Sequence, residues 1–183
     1  MTRLFLWYVH RSGTIPTVIG KLSQLQRFQV GSNKLIGAIP EEIYSLEKLT
    51  HVHLMENKLQ DDISSQIGKL SLLEQLQLHR NSFSGGLPTE FGMLGNLQTL
   101  TLHYNIFSNE KVPVELCNLR DSSPGTFTVL TSDCLSFPGN VQCDCCSTCY
   151  CNDPDANACL VVGPDIEDEI AGVLKERSWM DGH

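Results

Sequence analysis

The stretch Leu73-Glu-Gln-Leu-Gln-Leu-His-Arg-Asn81-Ser-Phe83-Ser-Gly85-Gly-Leu87-Pro88 decides the fold. Written as LxxLxLxxNxFxGxLP, its skeleton returns at steps of 24 residues in both directions. Asparagine recurs at Asn33, Asn57, Asn81 and Asn105, and the next apolar position at Leu35, Leu59, Phe83 and Phe107. Between them lie pairs with the period of a strand: Phe28/Val30, Val52/Leu54, Leu76/Leu78 and Leu100/Leu102. A Gly-x-Ile/Leu-Pro step stands at Gly13–Pro16, Gly37–Pro40 and Gly85–Pro88, and the third copy carries Asp61–Ser64 instead. So many matches at one period mark a solenoid, in which each unit packs only on its neighbours.

The copies fall at 13–36, 37–60, 61–84 and 85–108, with a partial fifth at 109–120. Each sets apolar residues three apart (Ile67, Leu70 and Leu73, for example) before passing to the period-two pair, so a helical turn precedes each strand. The asparagine column suits the same plan. An Asn side chain can bond backbone groups where the chain leaves a strand and turns. Residues 1–12 read as a degenerate leading half-repeat: Leu4 and Leu6 keep register with Phe28 and Val30, but Val9 and Arg11 occupy the Asn and apolar slots. A terminal repeat needs an outer face that tolerates water. This one offers none, so either the chain is a piece of a longer protein or another element covers that end.

These residues resemble the plant-type leucine-rich repeat (LRR) family, whose consensus is LxxLxxLxLxxNxLxGxIPxxLxxL, over roughly the first two-thirds of the chain. The resemblance implies an α/β-type solenoid. It would be a right-handed superhelix with a parallel β-sheet on the concave face, short helical or 3-10 segments on the convex face, and binding by exposed strand residues. Cysteine-rich ends are common in extracellular members.

All eight cysteines follow the last full repeat: Cys117, Cys134, Cys143, Cys145, Cys146, Cys149, Cys151 and Cys159. An even count in one cluster predicts a disulfide-rich C-terminal cap over 121–151, formed in an oxidising compartment. The alternative is zinc held by Cys143–Cys151, with Cys159, in a reducing one. The dense CxCCxxCxC spacing departs from the usual plant cap and leaves the pairing open. No Asn-x-Ser/Thr glycosylation site is present. The β-prone run Phe127–Leu130 is placed to add a last strand over the exposed end.

Residues 152–183 hold eight acids against Lys175 and Arg177, so most of the net charge of −8 sits in this tail. Within it 165–177 reads as a short amphipathic helix, with Ile166, Ile170, Val173 and Leu174 on one face. The near-neutral body argues against a nucleic-acid partner. No apolar run approaches the ~20 residues of a membrane span, and Leu4–Val9 is too short for a signal peptide's apolar region.

Residues flanking the buried strand pairs form ladders across the sheet. One runs Phe5, Gln29, His53, Gln77, Thr101; a second Trp7, Gly31, Met55, His79, His103; a third Tyr8, Ser32, Glu56, Arg80, Tyr104; a fourth Arg3, Arg27, His51, Gln75, Thr99. Phe5, Trp7, Tyr8, His51, His53, Met55, Glu56, His79, Arg80, His103 and Tyr104 are the candidate ligand-binding set, all expected to face solvent. Aromatics, Met and Arg are the types enriched at interface cores. Four histidines on one face suit a metal site or a pH-sensitive contact, but no carboxylate ladder supports a metal, and His is also tolerated on a wet strand. No phosphate loop, kinase motif or nucleophile elbow appears, so the reading has no catalytic residue, cofactor or metal.

The function expected is non-catalytic recognition of a protein or peptide ligand, with a co-receptor as a further partner. The setting expected is extracellular, free or as the membrane-anchored ectodomain of a longer parent. The competing readings are a zinc-binding LRR protein and a fragment of an LRR receptor kinase lacking its kinase domain.

Overall fold

The computed structural model describes residues 2–108, 112–122, 129–133, 146, 148–150 and 161–162. Its main sheet is built from β1 (Arg3–Phe5), β3 (Arg27–Gln29), β5 (His51–His53), β7 (Gln75–Gln77) and β9 (Thr99–Thr101). These strands are parallel, and each residue pairs with the one 24 positions on: Leu4 with Phe28, Phe28 with Val52, Val52 with Leu76 and Leu76 with Leu100. A second sheet joins β2 (Ser12–Gly13), β4 (Lys34–Gly37), β6 (Lys58–Asp62) and β8 (Ser82–Ser84). There the partners lie 22 apart, as in Gln60 with Ser82.

The opposite side carries four 3-10 turns, Thr17–Lys21, Glu41–Ser45, Ser65–Lys69 and Thr89–Met93. The apolar spacing of three within each copy matches the three residues per turn of a 3-10 helix. Pro16, Pro40 and Pro88 stand in extended conformation at the start of three of these turns. In the third copy Ser64 takes the place of proline and caps the turn by accepting the Gln66 N–H. The left-handed position follows the same rule. Gly13, Gly37 and Gly85 have φ of 99°, 78° and 66°, and Asp61 takes φ 69° in their column. The decayed Asp61–Ser64 step therefore keeps the backbone of the intact ones.

The asparagine column ties successive repeats together. Asn57 Nδ2 donates to Val30 O and Leu54 O, both at 3.0 Å, and Asn57 Oδ1 accepts Leu35 N–H at 3.0 Å. Asn81 repeats this pattern with Leu54 O, Leu78 O and Leu59 N–H. Asn105 does so with Leu78 O, Leu102 O and Phe83 N–H. Asn33 bonds Leu6 O, Val30 O and Arg11 N–H at the first rung. One side chain thus satisfies groups of two repeats that the strand ladders do not reach.

The core is one continuous cluster running from Ile15 to Leu130. The 3-10 turns pack closely where glycine permits. A Cβ on Gly20, Gly68 or Gly92 would meet Glu42 Cβ at 2.7 Å, Met93 Sδ at 2.8 Å or Glu115 Cβ at 2.5 Å. The second copy breaks this column with Tyr44, which is buried between the second and third turns. Those two turns approach less closely than the other neighbours, and a void of about 10 Å³ opens beside Tyr44, Ile43, Ile67 and Leu76.

After β9 the pattern changes. Helix α1 (Val114–Ser122) packs on the last 3-10 turn. The sheet does not stop with the last LxLxxN. It continues through β10 (Val129–Asp133) and β11 (Thr148–Tyr150), both parallel, and then β12 (Val161–Val162), antiparallel to β11. Backbone pairing needs no consensus sequence, so strands without the motif extend the sheet. β12 lies within the segment that composition assigns to the acidic tail.

Cys117 and Cys146 are each disulfide-bonded and both pack against the core. Cys146 is one of the thiols that zinc ligation would require. Cys149 lies in β11, while Cys134, Cys143, Cys145, Cys151, Cys159 and the helix expected over 165–177 lie outside the described residues. No helix among the described residues is long and apolar enough to cross a membrane.

Candidate recognition face

Parallel strands in register place equivalent side chains in columns about 4.8 Å apart. The main sheet therefore brings the four ladders together on one surface. At its N-terminal side Phe5 is 47% and Tyr8 70% exposed. Trp7 is half-buried because it reaches along the sheet, meeting Tyr8 at 6.5 Å and His53 edge-on at 6.3 Å between ring centroids. His53 is two rungs away. Gly31 occupies the intervening position of Trp7's ladder, and its missing side chain leaves a notch. Met55 fills part of that notch: a Cβ on Gly31 would lie 2.8 Å from Met55 Sδ.

The centre and C-terminal side hold two layers. In the lower one, His79 and His103 stack at 4.6 Å with ring planes 10° apart. His79 Nδ1 is hydrogen-bonded to Thr101 Oγ1 and His103 Nδ1 to Thr131 Oγ1, each at 2.8 Å. Nearer solvent, Arg80 Cζ lies 5.2 Å from the Tyr104 ring centroid, in cation–π contact. Ser32 Oγ donates to Glu56 Oε2 at 2.7 Å. His51 sits beside His53 at the sheet's other margin. There His53 Nε2 is hydrogen-bonded to Gln75 Oε1 and His51 Nδ1 to Thr50 Oγ1.

This geometry corrects one expectation. His53 and His103 do not face solvent; each is only 8% exposed. Trp7 covers the first, while His79, Tyr104 and the added strand β10 enclose the second. Burial depresses the basicity of all four histidines. Loss of hydration lowers His79 to about 4, with Arg80 and His53 adding to the effect and Glu56 opposing it. His103 falls further, through burial first and then His79 and Arg80. Burial likewise lowers His53, and lowers His51 together with the nearby Arg27. These are neutral imidazoles at ordinary pH, acting as planar packing and hydrogen-bonding groups.

Sequence reasoning missed the supporting residues: Gly31 as the notch, Ser32 as the partner of Glu56, and Gln75, Thr101 and Thr131 as partners of the histidines. The first four stand in the ladders themselves. Thr131 lies outside the repeat and has no signal in the period.

The family model described as Leucine Rich Repeat matches residues 72–94. The LRR ectodomain of the receptor kinase SOBIR1 from Arabidopsis thaliana is similar at 30% identity and TM-score 0.65, over 78% of this chain and 73% of that one. The chain belongs to the leucine-rich repeat family. Two further LRR structures are similar to it. One is the BIR3–SERK2 complex from Arabidopsis thaliana, at 32% identity and TM-score 0.60, over 68% of this chain and 65% of that one. The other is the plant peptide hormone receptor RGFR1 in complex with RGF2, at 30% identity and TM-score 0.65. That match covers 70% of this chain but 20% of the receptor, so the chain spans a fifth of its length. No curated protein matches the chain. In LRR terms, the ladders lie on the concave sheet and the 3-10 turns on the convex side.

Proposed function

We propose that this LRR chain is a non-catalytic, extracellular recognition module that binds a protein or peptide across its concave face, with a co-receptor as a further partner. One observation carries the reading. Met55, Arg80 and Tyr104 stand on adjacent rungs, with Trp7 two rungs before Met55, yet none belongs to the buried apolar core, which Val52, Leu76, Leu100 and their neighbours fill. Large amphipathic side chains outside the apolar core, gathered on one face, are the composition of a binding hot spot. The two complexes among the similar structures, RGFR1 with RGF2 and BIR3 with SERK2, support a binding role for this kind of surface.

The test is capture of extracellular proteins and peptides, followed by an alanine scan. Arg80→Ala or Tyr104→Ala should weaken binding by about 1–3 kcal/mol. Lys69→Ala and Gln66→Ala, on the convex side, should leave it nearly unchanged. The opposite pattern would place the site on the convex side.

A further inference from the structure

We propose that the exposed face of the second sheet is a contact between two copies of this chain, in which Lys34 of each copy meets Asp62 of the other across a two-fold axis. The inference stands on charges outside the ladders and does not depend on what the concave face binds.

Register lays this face out in ranks. Lys34 pairs with Ser12, Ile36 with Lys58, Gln60 with Ser82 and Asp62 with Ser84. Lys34, Ile36, Lys58, Gln60 and Asp62 are exposed, while Leu35 and Leu59 between them pack against the core. Lys34 and Lys58 open β4 and β6, and Asp61 and Asp62 close β6. The bases therefore stand at one end of the strands and the acids at the other. Among the described residues none of these four charges is in an ion pair. Ile36, 48% exposed, lies between the two ends.

Asp62 is held in place by neighbours that do not neutralise it. Its Oδ1 accepts from Ser84 Oγ at 2.8 Å. Its carboxylate fills the space over Gly85, where a Cβ would overlap it. Ser84 leaves Oδ2 for a cation arriving from outside, and a carboxylate already fixed loses less freedom on pairing.

Two identical faces can meet through a two-fold axis that lies in the interface. Laid across the strands, between the Ile36–Lys58 and Gln60–Ser82 ranks, that axis turns the basic end of each copy onto the acidic end of the other. Lys34 then faces the partner's Asp62, twice by symmetry, and the two Ile36 side chains come close to the axis. Arrangements that bring like ends together are opposed by charge, so the pattern selects this one. The face is only four short strands wide at about 4.8 Å each, at the small end for an interface, so charge governs it and salt weakens it. The second sheet lies past the asparagine turns, beside the concave sheet, so a paired molecule keeps its ladders open.

Sedimentation of the full chain over a range of concentrations tests this. At low ionic strength the chain should pass from monomer to dimer, and added salt should return it to monomer. Lys34→Glu and Asp62→Lys should each raise the dissociation constant about ten-fold. An equimolar mixture of the two variants should dimerise like the unaltered chain, because both contacts of the mixed pair again join opposite charges. Lys69→Glu, on the convex side, should change nothing. Should Asp62→Lys fail to fold, the shift in Lys34→Glu against Lys69→Glu decides. A chain that stays monomeric at every concentration, or a dimer indifferent to Lys34→Glu, overturns the proposal.

Discussion

Asp61 and Gly85, one repeat apart, hold the same left-handed backbone, with φ of 69° and 66°. For a residue with a Cβ this conformation is costly, and Asp is among the few that tolerate it. Asp61→Gly should therefore stabilise the fold by about 0.5–1 kcal/mol, and Asp61→Val should destabilise it by at least as much. Denaturant unfolding of the two variants decides the matter. A loss of stability in Asp61→Gly would mean that the side chain contributes more than its backbone strain costs.

Asn57→Ala and Asn81→Ala should each cost about 1–3 kcal/mol, because the change strands backbone groups in two repeats at once. Alanine removes the acceptor that each offers at 3.0 Å, to Leu35 N–H for Asn57 and to Leu59 N–H for Asn81. Unchanged unfolding midpoints in both variants would show that water satisfies these groups.

Histidine burial sets a pH dependence. His79 is lowered to about 4 in the fold and His103 lies lower still, whereas an unfolded imidazole titrates near 6.5. Below about pH 6.5 the unfolded chain takes up protons that the folded one refuses, so stability rises with pH through this window. It is complete above about 6.5 and is lost on acidification toward about 4, by about 1–2 kcal/mol per histidine at pH 5. Glu56 and Arg80, which face the pair, act in opposite directions on His79. Unfolding measured at pH 7 and pH 5 should show a smaller difference in His103→Gln than in the unaltered chain.

Reduction of the disulfides at Cys117 and Cys146 should cost about 2–5 kcal/mol. Both cysteines pack against the end of the core, so amide exchange should rise first in α1 and β10 and leave β5 and β7 protected. A uniform rise across all strands would show that the solenoid unfolds as one unit.

The solenoid was legible in the sequence because period, strand pair and asparagine column repeat the same constraint four times. The third copy was legible only as a departure from the step; that Asp61 serves the left-handed turn and Ser64 the cap is set by the backbone. The face was legible only in register. Which residues share a ladder follows from the period. How far each is covered depends on reach across rungs, such as Trp7 to His53, and on β10, whose sequence lies outside the repeat. Tyr44 shows the same limit. Its place in the glycine column is visible in the chain, but the spacing it imposes between turns belongs to three dimensions.

The antiparallel pairing of Val161–Val162 with Thr148–Cys149 leaves β11 bonded on both sides, by β10 in parallel and by β12 in the opposite sense. At these residues no further parallel strand can be laid on β11. A short reversed strand is thus an edge guard of the kind that sheet proteins use against pairing with another chain.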